Sequence, residues 1–113
     1  MAKVITTQEL KAKTDSGIKD FHLIDVLSPN NYSARHIPGA LNVPFSPDFM
    51  EHFTEDVGVA KDADIIVYCS SNTCQSSVKA AAALDEAGYT KVSHYKDGLA
   101  GWQDAGHEFE GEN

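Results

Sequence analysis

Ile65-Ile66-Val67-Tyr68-Cys69-Ser70-Ser71-Asn72-Thr73-Cys74-Gln75-Ser76-Ser77 is an apolar, β-branched run that stops at a cysteine and continues as small polar residues. An alanine-rich segment with helical spacing, Val78 to Ala87, follows directly. The run is short, apolar throughout and bounded by polar residues, which reads as a strand buried on both faces, the environment of a parallel sheet. The pattern therefore places a thiol where a buried strand opens toward a helix N-terminus. Backbone N–H groups and the helix dipole favour negative charge there, so a thiolate, or an anion bonded to it, is stabilised. The two cysteines of the chain, Cys69 and Cys74, both lie in this segment. Chemistry at sulfur is the first hypothesis.

Working outward, strands alternate with helices. Val4-Ile5 reads as a short strand, and Thr6 with Glu9 has the spacing of a capping box opening a helix through about Thr14. His22 to Val26 is a compact apolar strand. Ser28-Pro29 combines an N-cap with a proline at the first helical position, opening a short helix through Ala34. Ile37-Pro38-Gly39-Ala40 is a turn, Leu41 to Val43 a brief strand stopped by Pro44, and Pro47 to Phe53 a short helix. Asp64 to Tyr68 is the strongest strand and Ser77 to Ala87 the strongest helix, with Gly88 as its C′ residue. Lys91 to Tyr95 is a strand, Asp97-Gly98 a turn and Leu99 to Asp104 a last helix carrying Trp102. The acidic tail, Glu108 to Asn113, is expected to fray. This alternation implies one α/β domain, residues 1–113, with a mainly parallel central sheet and helices on both faces. Ligands of such folds sit beyond the carboxyl ends of the strands, where Cys69 falls.

Nine Lys and Arg against seventeen Asp and Glu give a formal charge of −8. That balance argues against nucleic acid or an anionic membrane as partner, since either needs a basic patch. Met1 to Thr7 has no apolar core of a secretory signal, and no apolar stretch approaches a membrane span, so the expected compartment is the cytoplasm. A mature chain whose leader had been removed would read the same way. In a reducing compartment two cysteines in one loop point to reactivity more than to a structural disulfide.

The sequence resembles the rhodanese-like sulfurtransferase domain. Leu23-Ile24-Asp25-Val26, Tyr32 and His36-Ile37-Pro38-Gly39-Ala40-Leu41-Asn42-Val43-Pro44 are similar to its first hallmark, and Ile66-Val67-Tyr68-Cys69 to the strand leading to its cysteine. Ala80-Ala81, Leu84, Gly88-Tyr89, Val92, Lys96-Asp97-Gly98 and Trp102 continue the likeness through most of the chain. The resemblance implies a single rhodanese-like domain in which the Cys69 thiolate takes sulfane sulfur from a donor, becomes a persulfide and passes the sulfur to an acceptor. The donor would be a small sulfur compound or a protein persulfide, and the acceptor a thiol or a thioredoxin-like protein, with no cofactor. Ser70, Ser71, Asn72, Thr73, Gln75, Ser76 and Ser77 would form the active-site loop.

The loop departs from the family's common Cys-x-x-Gly-x-Arg-Ser. Aligned on the following helix it is two residues longer, and Ser76 takes the place of the arginine, so the stretch from Cys69 to Ser77 holds no cation. Asp25-Val26-Leu27 stands where Asp-Val-Arg is frequent, and Arg35 precedes His36 where glycine is usual. Thiosulfate, a dianion, is therefore not the expected preferred donor. The loop resembles a Cys-x4-Cys-x2-Ser variety, in which Cys74 is a resolving thiol or, in the plainer reading, a small residue packed at the helix start.

Asp25 is read as ordering the loop after its strand, and His36 as a structural hydrogen-bonding group rather than an acid or base. The other histidines lack metal-ligand spacing and no Cys-x-x-Cys pair exists, so no metal site is expected. Two alternatives stand beside a sulfurtransferase: a thiol–disulfide protein cycling Cys69 and Cys74, and a catalytically weak binding module. Phosphatases and arsenate reductases of related fold need an arginine after the cysteine, and no arginine follows Cys69.

Overall fold

The computed structural model describes residues 3–16, 21–70 and 75–111. Ten elements alternate along it: β1 (Lys3–Val4), α1 (Thr7–Asp15), β2 (Phe21–Asp25), α2 (Pro29–Ala34), β3 (Leu41–Asn42), α3 (Phe49–Asp56), β4 (Asp64–Tyr68), α4 (Ser76–Glu86), β5 (Lys91–Tyr95) and α5 (Gly98–Asp104). The five strands form one parallel sheet in the order β1-β5-β4-β2-β3.

Local chemistry sets the element ends. The Thr6 hydroxyl accepts the Glu9 N–H and the Glu9 carboxylate accepts the Thr6 N–H, a complete capping box. Ser28 caps α2 through the Asn31 N–H, with Pro29 inside the first turn. Gly88, at φ +98°, ends α4 in the left-handed region that a β-carbon disfavours.

Side-chain alternation divides the core. Ile65, Val67 and Cys69 join Ile24, Val26 and Val92 on the face covered by α3 and α4, which contribute Phe49, Phe53, Ala80, Ala81 and Leu84. Ile66 and Tyr68 face the other way, with Leu23 and Tyr95, against Leu10 of α1 and Leu99 and Trp102 of α5. Residues Ile65 to Tyr68 are wholly buried, as a parallel central strand requires. Burying each such large apolar side chain contributes roughly 1.5–3 kcal/mol, which is why β4 is the anchor of the fold.

Two expectations are corrected. The third helix begins at Phe49 and runs to Asp56 rather than spanning Pro47 to Phe53. Ser46 forms the turn before it, its hydroxyl accepting the Asp48 N–H and its carbonyl the Phe49 N–H, and Gly58 closes it at φ +58°. The tail does not fray from Glu108: His36 and Glu110 exchange backbone hydrogen bonds of 2.8 and 2.9 Å, and the Trp102 indole N–H donates to the Glu108 carbonyl. That pairing is long-range, so no local pattern announces it. Residues 112 and 113 lie outside the described residues.

Candidate active site

The chain leaves β2 for its neighbour β3 on one side and β4 for its neighbour β5 on the other. Connections that diverge in this way open a crevice between the carboxyl ends of β2 and β4. Asp25 is the last residue of β2, and Cys69 directly follows β4. The topology thus brings together two residues forty-four positions apart.

Cys69 is buried, with 1% of its surface exposed, whereas Ser70 is exposed. Its sulfur is disulfide-bonded. Cys74, the other cysteine of the sequence, lies outside the described residues together with Ser71, Asn72 and Thr73. The backbone leaving the strand is fixed by α5: the Leu99 N–H donates to the Cys69 carbonyl at 3.1 Å and the Ala100 N–H to the Ser70 carbonyl at 2.8 Å. Gly98 permits this approach. It has φ +60°, and a β-carbon there would stand 2.9 Å from the Ser70 carbonyl carbon, 3.0 Å from that of Cys69 and closer still to the Cys69 carbonyl oxygen.

Asp25 is fully buried and its carboxylate is satisfied, accepting the Leu27 N–H at 2.8 Å and the Tyr68 hydroxyl at 2.8 Å. The Tyr68 oxygen in turn accepts the Ile37 N–H at 3.1 Å. Desolvation raises the pKa of Asp25, opposed by those two hydrogen bonds and by His36, and burial beside Asp25 raises that of Tyr68. Asp25 therefore ties the loop after β2 to the end of β4. Asn42 reinforces it by donating to the Asp25 and Leu27 carbonyls.

His36 stacks on Tyr32 with ring centroids 3.9 Å apart, and its Nδ1 is 2.9 Å from the Tyr32 carbonyl, an acceptor that calls for N–H at that nitrogen. The Arg35 guanidinium donates to Gln103 at 2.8 Å and lies over the Phe109 ring. Both residues fasten α2 and the tail to the domain. Gln75 and Ser76 start α4, the first exposed and the second half-buried, and helix geometry leaves the N–H groups of this turn without intrahelical acceptors. Ser77 is buried, and its hydroxyl is 2.7 Å from Nε2 of His94 on β5. Among the described residues no cluster of His, Cys, Asp and Glu is arranged to hold a metal ion, and no helix is long and apolar enough to cross a membrane.

The family pattern described as "Rhodanese-like domain" matches residues 6–105. The chain belongs to the rhodanese-like domain family. A thiosulfate sulfurtransferase of Arabidopsis thaliana, chloroplastic, is 34% identical to this rhodanese-like chain over 89 residues, covering 70% of the chain and 71% of the relative. An HTH-type transcriptional regulator of Mycobacterium tuberculosis is 33% identical over 102 residues, covering 90% of the chain; the chain spans 42% of that regulator's length. The solution structure of the rhodanese-like domain of the Alr3790 protein from Anabaena superposes with a TM-score of 0.84 at 29% identity, covering 99% of this chain and 81% of that one. The rhodanese-like α/β architecture expected from the sequence is thus the one found, and sulfurtransferases are among the relatives.

Tyr68, His94 and Gly98 belong to this site and were missed by reasoning on the sequence. Tyr68 was legible in principle, because a tyrosine ending a buried strand must find a partner for its hydroxyl. His94 occupies an inward phase of β5, two residues after Val92, the place where a polar side chain calls for explanation. Gly98 read as a turn and as part of the family likeness; its closeness to Cys69 is tertiary.

Proposed function

We propose that this rhodanese-like domain is a sulfurtransferase in which Cys69 carries sulfane sulfur as a persulfide. The observation that carries the reading is the position of Cys69: a buried sulfur just past the carboxyl end of the central strand, next to β2, where the topology opens a crevice, and followed at once by an exposed residue, Ser70. The sulfurtransferase relatives support it. Two equivalents of thiol first reduce the disulfide at Cys69 and leave as their own disulfide. The Cys69 thiolate then attacks the outer sulfur of a donor persulfide, the donor S–S bond breaks, and the donor leaves as a thiolate. An acceptor thiolate then attacks the outer sulfur of the Cys69 persulfide, and the Cys69 thiolate is released. The proposed donors to anionic sulfur are N–H groups at the start of α4, which have no intrahelical acceptor.

The donor follows from charge. Cys69 to Ser77 contains no cation, and Arg35 is engaged by Gln103 and Phe109. Hydrogen bonds from charged groups contribute roughly 1.5–3 kcal/mol, so an uncharged cradle discriminates against a dianion by about tenfold or more. Thiol persulfides, small or protein-borne, are the proposed donors, and a small thiol or a thioredoxin-like protein in the cytoplasm the proposed acceptor. The test is cyanide-released sulfur from reduced protein loaded with glutathione persulfide. Cys74→Ser should retain the label and Cys69→Ser should lose it; label that persists in Cys69→Ser refutes the assignment.

The disulfide at Cys69 favours a second reading, a Cys-x4-Cys-x2-Ser loop in which Cys74 resolves the persulfide or cycles with Cys69 as a thiol–disulfide couple. That reading requires turnover to fail in either single cysteine variant.

A further inference from the structure

We propose that Ser77 and His94 are a positioning pair for the candidate active site: His94 holds the Ser77 hydroxyl and thereby fixes the first turn of α4 against the face of the sheet that carries Cys69. The inference rests on the reading of Cys69 as the reactive sulfur.

Ser77 is the second residue of α4, in the turn that receives the chain from the loop, and 1% of its surface is exposed. Its Oγ lies 2.7 Å from His94 Nε2. His94 stands in register with Val67 of β4, and Val67 shares its face of the sheet with Cys69, two residues on. The same face receives Ala80, Ala81 and Leu84 of α4. The pair therefore joins the start of α4 to β5. The chain leaving β4 is held by a separate device, the Leu99 and Ala100 N–H groups on the Cys69 and Ser70 carbonyls.

Two apolar side chains could fill this space, but they would fix neither a distance nor a direction. A buried hydroxyl–imidazole bond fixes both, because each group is costly to bury unpaired. Burial, and then the nearby Lys96 charge, lowers the imidazole's pKa and so favours its neutral form, which can accept a hydrogen bond from the serine hydroxyl. The pair sets where the N–H groups of the first helical turn point, and through them the environment of sulfur on Cys69. Its role is positioning, not proton transfer.

The test compares reduced wild type with Ser77→Ala, Ser77→Thr, His94→Gln and the Ser77→Ala/His94→Gln double variant. Three quantities are read: the alkylation rate of Cys69 resolved by peptide, the urea unfolding midpoint, and kcat and KM for sulfur release. Ser77→Ala should change the Cys69 alkylation rate by about fivefold, the worth of one hydrogen bond. It should also lower kcat more than it raises KM. Ser77→Thr should restore the rate, and the double variant should be no worse than the worse single one. An alkylation rate unchanged in both Ser77→Ala and His94→Gln, with only the urea midpoint lowered, overturns the proposal. Alkylation needs no sulfur transfer. If wild type loads no sulfur while the alkylation rates shift as expected, the persulfide reading falls and the positioning pair stands.

Discussion

Replacing Gly98 by alanine perturbs Cys69 through the backbone of Cys69 itself. Gly98 has φ +60°, a conformation costing an L-residue about 1–2 kcal/mol. The added β-carbon would also lie 2.9 Å from the Ser70 carbonyl carbon and nearer still to the Cys69 carbonyl oxygen. Both obstacles are backbone, so no flexible side chain can swing away. The relief open to the chain is to separate α5 from the strand end, weakening the Leu99–Cys69 and Ala100–Ser70 hydrogen bonds at about 1 kcal/mol each. The expected total is roughly 2–4 kcal/mol. Gly39→Ala isolates the backbone term, because Gly39 has φ +87° and nothing within 4 Å of its notional β-carbon. Urea unfolding of the reduced proteins gives the energies, and peptide-resolved alkylation gives the reactivity of Cys69. Gly98→Ala should exceed Gly39→Ala by about 1–2 kcal/mol and alone should alter the Cys69 rate. Equal destabilisation with unchanged Cys69 reactivity in both variants would refute the reasoning.

Three further outcomes are expected. Tyr68→Phe leaves the Asp25 carboxylate and the Ile37 N–H each short of a buried partner, and should cost about 2–4 kcal/mol in urea unfolding; a loss below about 1 kcal/mol contradicts the network. His94 is held below its ordinary value of 6.5 by burial, then by Lys96. The unfolded chain thus takes up the proton first as pH falls through 6.5, and the fold loses stability between there and the lowered native value. His94→Gln should show a smaller drop in urea midpoint between about pH 7.5 and 5.5 than wild type; equal drops contradict this. Ser76→Arg places a cation at the start of α4 and should raise thiosulfate turnover by about tenfold; unchanged or lower turnover counts against the uncharged-cradle account.

Most of the architecture was legible because local signals were consistent with one another. The Thr6–Glu9 box, Ser28-Pro29, the apolar run of β4 and Gly88 each marked an element end that the structure bears out. Where reading failed, the cause was tertiary or a competing turn. Ser46 delays the start of α3, and the tail is held by His36 and Trp102, residues remote from it in sequence. Cys69 and Asp25 could be placed at strand ends from pattern alone. That Tyr68 and His94 needed polar partners was legible too, but which partners they take, and the role of Gly98, depend on strand order and on the approach of α5.

The central claim concerns sulfur on Cys69. The most direct measurement is mass spectrometry of reduced protein exposed to glutathione persulfide or to thiosulfate, with thiols trapped by alkylation and peptides resolved. The account predicts one added sulfur on the Cys69 peptide, in higher yield from glutathione persulfide than from thiosulfate. A Cys69 peptide that gains no sulfur from either donor, in wild type and in Cys74→Ser alike, would contradict it.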